Sequence, residues 1–162
     1  MTVFDKHRLT NDTFKLDLER MRRGWYSDKY FENIGAMLAA LAGQGYHYSG
    51  RSPRFDGYTV EQLRLIETGN IEVEMQWFTR RRGATIVVGV DKAVAMLRGC
   101  TGYVDEDGNF VETWDQLIVE AVHDGATVSY NGDPLNIRPV IRARGRYRDF
   151  ALLETPTLGI LT

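Results

Sequence analysis

The sequence predicts an α+β domain, and three observations carry that reading. Apolar residues in the first fifty positions recur at helical spacing, those from position 71 onward alternate at every second residue, and Gly, Pro, Asn and Asp interrupt the second half at short intervals. Helices should therefore pack on a mostly antiparallel sheet. The strands and turns between Gly125 and Gly145 suggest a hammerhead-like arrangement.

Taken in order, the polar stretch 10–13 can cap a helix carrying Leu16, Leu18, Met21 and Trp25, which Gly24 interrupts. Ser27 or Asp28 can cap a second helix. On it Tyr30, Phe31, Ile34, Met37, Leu38 and Leu41 fall near i, i+3, i+4, i+7 and predict one buried stripe, ended by Gly43 and Gly45. Positions 46–57 read as loop and 60–66 as a short amphipathic piece. Ile71, Val73 and Met75 alternate with Glu72, Glu74 and Gln76, which predicts a strand with one wet face. An exposed turn at Arg80, Arg81, Arg82 and Gly83 leads to a second strand over 84–90, after which Asp91 reads as the N-cap of a helix over 92–98.

A hairpin is expected over 103–111, because Asp107-Gly108 is a strong turn signal. Strands follow at 117–122, 126–130 and 140–143, and 150–161 is helical in pattern. This order places an α+β domain at 1–150, with a helical arm over about 1–45, and a connecting segment at 151–162. Leu152, Leu153, Leu158, Ile160 and Leu161 form an apolar stretch with no polar tail before Thr162, so the polypeptide is expected to continue beyond it.

Composition narrows the function classes. A net charge of −2 is wrong for a globally basic nucleic-acid binder, and no apolar run is long enough to span a bilayer. The start lacks the apolar core of a signal peptide, and Cys100 alone forms no intramolecular disulfide, so a reducing cytoplasm is expected. His7, His47 and His123 show no metal-ligand spacing, and no metal site is expected in the chain.

Two stretches carry a family resemblance. The first runs from Arg22 through Trp25, Tyr26, Asp28 and Tyr30 to Phe31. The second runs from Ile141 through Gly145, Arg146 and Tyr147 to Phe150, followed by Leu153-Glu154-Thr155-Pro156. Together they resemble the start of a nicotinate phosphoribosyltransferase, in which a Y-x-D-x-Y element opens the chain and a strand ending G-R-Y leads to a helix beginning L-E-T. The resemblance implies an enzyme of NAD biosynthesis that joins nicotinate to phosphoribosyl pyrophosphate and releases pyrophosphate. It also implies a following α/β barrel that holds the catalytic residues and phosphate loops, Mg2+ and ATP as cofactors of the whole enzyme, and a homo-oligomer in which this domain covers a neighbouring subunit's barrel. The chain by itself is expected to be inactive.

Carried onto this sequence, the resemblance makes Tyr30 the residue that stacks on the pyridine ring and Asp28 its polar companion. Thr155, in the first turn of the last helix, falls near the site or the domain junction. Each also has an ordinary reading, as cap, core residue or first-turn polar residue. Arg142, Arg144, Arg146 and Arg148 occur at every second position, so on a regular strand they share one face. Arg144 and Arg146 are accordingly expected to contact substrate phosphates or an acidic partner domain, the alternative being a solvated face beside acidic neighbours.

Quinolinate and nicotinamide phosphoribosyltransferases remain alternatives within that class. From another class, a free-standing β-rich binding module also fits the strands. A carrier of the biotinyl type is disfavoured, because the tip at Asn131-Gly132-Asp133 has no lysine to modify.

Overall fold

In this computed structural model, residues 8–43, 59, 61, 72–105 and 107–161 are described. A 3-10 turn at Asn11–Thr13 precedes α1 (Leu18–Arg22) and α2 (Lys29–Gly43). Then come β1 (Glu72–Trp77), β2 (Gly83–Ile86), α3 (Val90–Cys100), β3 (Gly102–Val104), β4 (Phe110–Glu112), β5 (Ile118–Ala121), β6 (Thr127–Tyr130) and β7 (Ile141–Arg146). The chain finishes in α4 (Tyr147–Phe150), a 3-10 turn at Ala151–Leu153 and α5 (Glu154–Leu161). The fold is mixed α+β, and the strand pairings among the described residues are antiparallel.

β7 is the central strand of a sheet ordered β1-β7-β5, while β2 pairs with β6 and β3 with β4. β6 and β7 do not pair with each other, so the hammerhead expected from consecutive strands over Gly125 to Gly145 is not formed by that route. Period-two patterning holds along β7: Ile141, Ala143 and Gly145 face inward and Arg142 and Arg144 outward. On β1, Glu72, Glu74 and Gln76 form the wet face as expected, and Trp77 enters the core. The buried core gathers Trp77, Ile141 and Ala143 from the sheet, Val90, Val94 and Leu97 from α3, and Phe150 and Leu153 from the C-terminal turn.

Four local expectations are corrected. The second strand stops at Ile86, and Val90 opens a helix instead. Gly89, at φ +91°, turns the chain there, and a Cβ at this position would sit 2.7 Å from the Ile160 carbonyl oxygen, so a tight turn and close packing on α5 both favour glycine. Asp91 is not the N-cap. The carboxylate of Asp124 accepts the Val90 and Asp91 N–H groups at 2.8 and 3.2 Å. Asp91 is buried and holds Arg8 at 2.8 Å while accepting the Leu9 N–H at 3.0 Å. Arg8 also donates to the carbonyls of Ala121 and Val122, which ties the N-terminal segment to α3 and to the end of β5. At the first helix, Asp17 rather than the 10–13 stretch supplies the cap, accepting from the Arg20 N–H at 3.3 Å.

The stripe on α2 is the fourth correction. Phe31 and Ile34 are half-buried, but Tyr30 and Met37 are 52% and 59% exposed. Helical periodicity groups these apolar residues, but two of the four whose side chains are described are exposed rather than buried. Leu38 and Leu41, the loop at 46–57 and most of the piece at 60–66 lie outside the described residues and side chains.

Candidate functional site

The start of α2 and the first turn of α5 meet, although they are 127 positions apart. Between β7 and α5 the chain reverses through α4 and a 3-10 turn, anchored by the fully buried Phe150 and Leu153. The buried Thr157 hydroxyl donates back to the Glu154 carbonyl at 2.9 Å and also bonds the Leu153 carbonyl. These anchors face the core and leave Glu154 and Thr155 half-buried on the other side. There the Asp28 N–H donates to Thr155 Oγ1 at 3.1 Å, and Oγ1 in turn donates to Glu154 Oε2 at 3.4 Å.

Tyr30 stands at the mouth of this junction with its ring 4.3 Å from that of Phe31, tilted by 35°. Partial desolvation, with the carboxylates of Glu154 and Asp28 adding to it, raises the Tyr30 phenol above its ordinary value. Desolvation also raises the Glu154 carboxyl; the Thr155 hydroxyl works against that shift and Asp28 adds to it. Tyr147 is raised by desolvation and then by the Tyr30 phenol. Two phenols, two carboxylates and a hydroxyl thus share one partly exposed cluster. An exposed aromatic ring rimmed by carboxylates can stack on a flat ligand and stabilise positive charge on it.

Of the five residues expected at the site, the structure brings Asp28, Tyr30 and Thr155 together. Arg144 has other neighbours. It lies on the exposed sheet face, opposite Glu74 on β1 and Ile118 on β5, beside Arg142. Arg142 is 3.4 Å from both Glu74 and Glu120, so acidic side chains flank this face as in the solvated-face alternative.

Arg146 turns to Asp149, 2.7 Å away, and the same carboxylate oxygen accepts the buried Thr113 hydroxyl at 2.8 Å. Arg148 is not on the strand. It belongs to α4, with its guanidinium 4.3 Å over the Tyr103 ring and 3.4 Å from Asp149. A single face of four arginines is therefore corrected. The strand ends at Arg146, and buried Asp149 offsets the charge of the last two.

Tyr147 and Glu154 were not singled out for the site. Both stand inside the quoted stretches, Tyr147 next to Arg146 and Glu154 next to Thr155, and that adjacency was the available signal.

The described residues do not fit the group-binding roles that the resemblance assigns to the whole enzyme. Among them no three His, Cys, Asp or Glu side chains converge to hold a metal ion. The start of α3 offers no open phosphate cradle, because Asp124 already occupies its first N–H groups.

An apolar groove of about 490 Å3 lies toward the other end of α5, where Trp77, Val87, Val140, Leu158 and Ile160 meet and Arg80 and Arg81 form part of the lining. Its neighbours are distinct from those of the Tyr30 cluster, which α5 separates from it by about 10 Å of helix. No helix among the described residues is long and apolar enough to cross a membrane.

No known family profile matches the chain, and no curated protein matches it.

Proposed function

We propose that this chain is the N-terminal domain of a nicotinate phosphoribosyltransferase. One observation carries the reading: the two stretches that resemble the family meet in space through the Asp28–Thr155 hydrogen bond, leaving Tyr30 half-exposed beside Glu154. A ring-stacking tyrosine needs an open face and a fixed base, and this junction supplies both.

In the proposed reaction the pyridine nitrogen forms a bond to C1 of the ribose while the bond from C1 to pyrophosphate breaks, and the pyrophosphate leaves with the bonding electrons. The ring nitrogen becomes cationic as the bond forms. The π-face of Tyr30 and the nearby carboxylates of Asp28 and Glu154 favour that charge. This domain orients the ring. Binding of the phosphates and stabilisation of the departing pyrophosphate belong to an α/β barrel, in the proposed assembly that of a neighbouring subunit of a homo-oligomer covered by α2. The open apolar face of α2, with Tyr30 and Met37 exposed, is suited to such a cover.

The test is an assay of the complete protein with nicotinate and phosphoribosyl pyrophosphate, against quinolinate and nicotinamide as competing bases. The proposal expects nicotinate mononucleotide and pyrophosphate in equal amounts. Turnover confined to another base, or none with a folded protein, contradicts it.

A further inference from the structure

We propose that Thr155 is a positioning residue that acts through Tyr30, and that Glu154 completes the device by accepting a hydrogen bond from the Thr155 hydroxyl. The inference deepens the proposed function and rests on it for the identity of the ligand.

The direction of the bonds is set by chemistry. A main-chain N–H only donates, so Thr155 Oγ1 must accept from Asp28 at 3.1 Å. That leaves the hydroxyl proton to be donated onward, and Glu154 Oε2 stands 3.4 Å away to take it. The result is a directed chain from Asp28 N–H through Thr155 to Glu154, in which each bond polarises the next.

Asp28 is the residue before α2, and its carbonyl accepts the Phe31 N–H at 3.0 Å in the first turn. Holding its N–H therefore holds the entry of the helix on which Tyr30 sits. The exposed Lys29–Glu32 ion pair lies within α2, so it does not tie the helix to the rest of the chain. On the other side Thr155 is carried by a turn anchored in the core. It lies in the first turn of α5, between Leu153 and Thr157, which are 2% and 0% exposed. The hydroxyl thus transmits the position of a buried anchor to a half-exposed ring.

This arrangement occupies the Thr155 oxygen with protein partners on both its accepting and donating sides. The hydroxyl proton and one of its two lone pairs are thus committed within the chain, which leaves it no proton to offer a ligand, and the geometry points to positioning rather than contact. Serine preserves both bonds and valine removes both at similar volume.

Two measurements test the proposal. In hydrogen exchange on this chain, Thr155→Val should speed exchange over 28–33 by about tenfold, Thr155→Ser should restore protection, and β5 and β7 should keep theirs. In the complete protein, Thr155→Val should raise KM for nicotinate several-fold with a smaller change in kcat. Adding it to Tyr30→Ala should have no further effect, because a residue that acts only through Tyr30 has nothing left to position. Additive losses in the double variant would overturn the proposal in favour of direct contact. Unchanged exchange in Thr155→Val, or failure of serine to rescue, would also overturn it. Altered exchange with serine rescue in a protein that does not use nicotinate would support the positioning device and remove the nicotinate reading.

Discussion

The main-chain N–H of Asp28 and the side-chain hydroxyl of Thr155 are hydrogen-bonded at 3.1 Å, so the entry of α2 is fixed by the first turn of α5. Both helices have other duties. α5 buries Thr157 and packs Ile160 and Leu161 against the core, and α2 leaves Tyr30 and Met37 exposed. Their junction is where a stable element constrains an exposed one, and Tyr30 takes its position from it.

Arg8 and Asp91 form the best-buried ion pair described, with side chains 4% and 6% exposed. Removing one partner strands the other charge in the core. Arg8→Ala should cost about 3–5 kcal/mol in urea denaturation, because the Ala121 and Val122 carbonyls lose their donor as well. A loss below about 1 kcal/mol would show that water replaces the guanidinium at little cost.

Gly89 carries a positive φ and lies under the Ile160 carbonyl. Gly89→Ala should destabilise the chain by at least about 1–3 kcal/mol, since the backbone conformation is unfavourable for alanine and the neighbour that must move is main chain rather than a flexible side chain. A melting temperature equal to that of the parent would contradict the close packing of α5 on the start of α3.

Glu154 has a carboxyl raised above its ordinary value, chiefly by desolvation. A carboxyl raised on folding contributes stability that is present below its unfolded value and lost as pH rises through its folded one. Glu154→Gln removes that loss. The difference in melting temperature should therefore shift in favour of the variant as pH is taken from about 4 to about 7. A difference that stays constant over this range would mean that Glu154 titrates normally.

Much of the fold was legible because it is local. Alternation at Val73, Met75 and Trp77 and at Ile141, Ala143 and Gly145 records strands with one buried face, and the turn at Asp105 to Gly108 closes the expected β3–β4 hairpin. What was misread depends on distant residues. An aspartate in the first turn of a helix looks like a cap whether or not it is one, and the carboxylate that does the capping comes from Asp124, 33 positions away.

The arginine alternation continues to Arg148 because sequence spacing carries no mark of where β7 gives way to α4. The periodicity of α2 likewise reports an apolar face without reporting what covers it. Asp28, Tyr30 and Thr155 were named through resemblance, but their meeting in space was not legible. Neither was the part of Glu154 and Tyr147 in it, because proximity across 127 positions leaves no local pattern.

The most direct test of the account is the KM for nicotinate of the complete protein with and without the Tyr30 ring. If Tyr30 stacks on the pyridine, Tyr30→Ala should fold normally and raise KM about tenfold, the equivalent of roughly 1–1.5 kcal/mol for an aromatic pair. A folded Tyr30→Ala variant with an unchanged KM would contradict it.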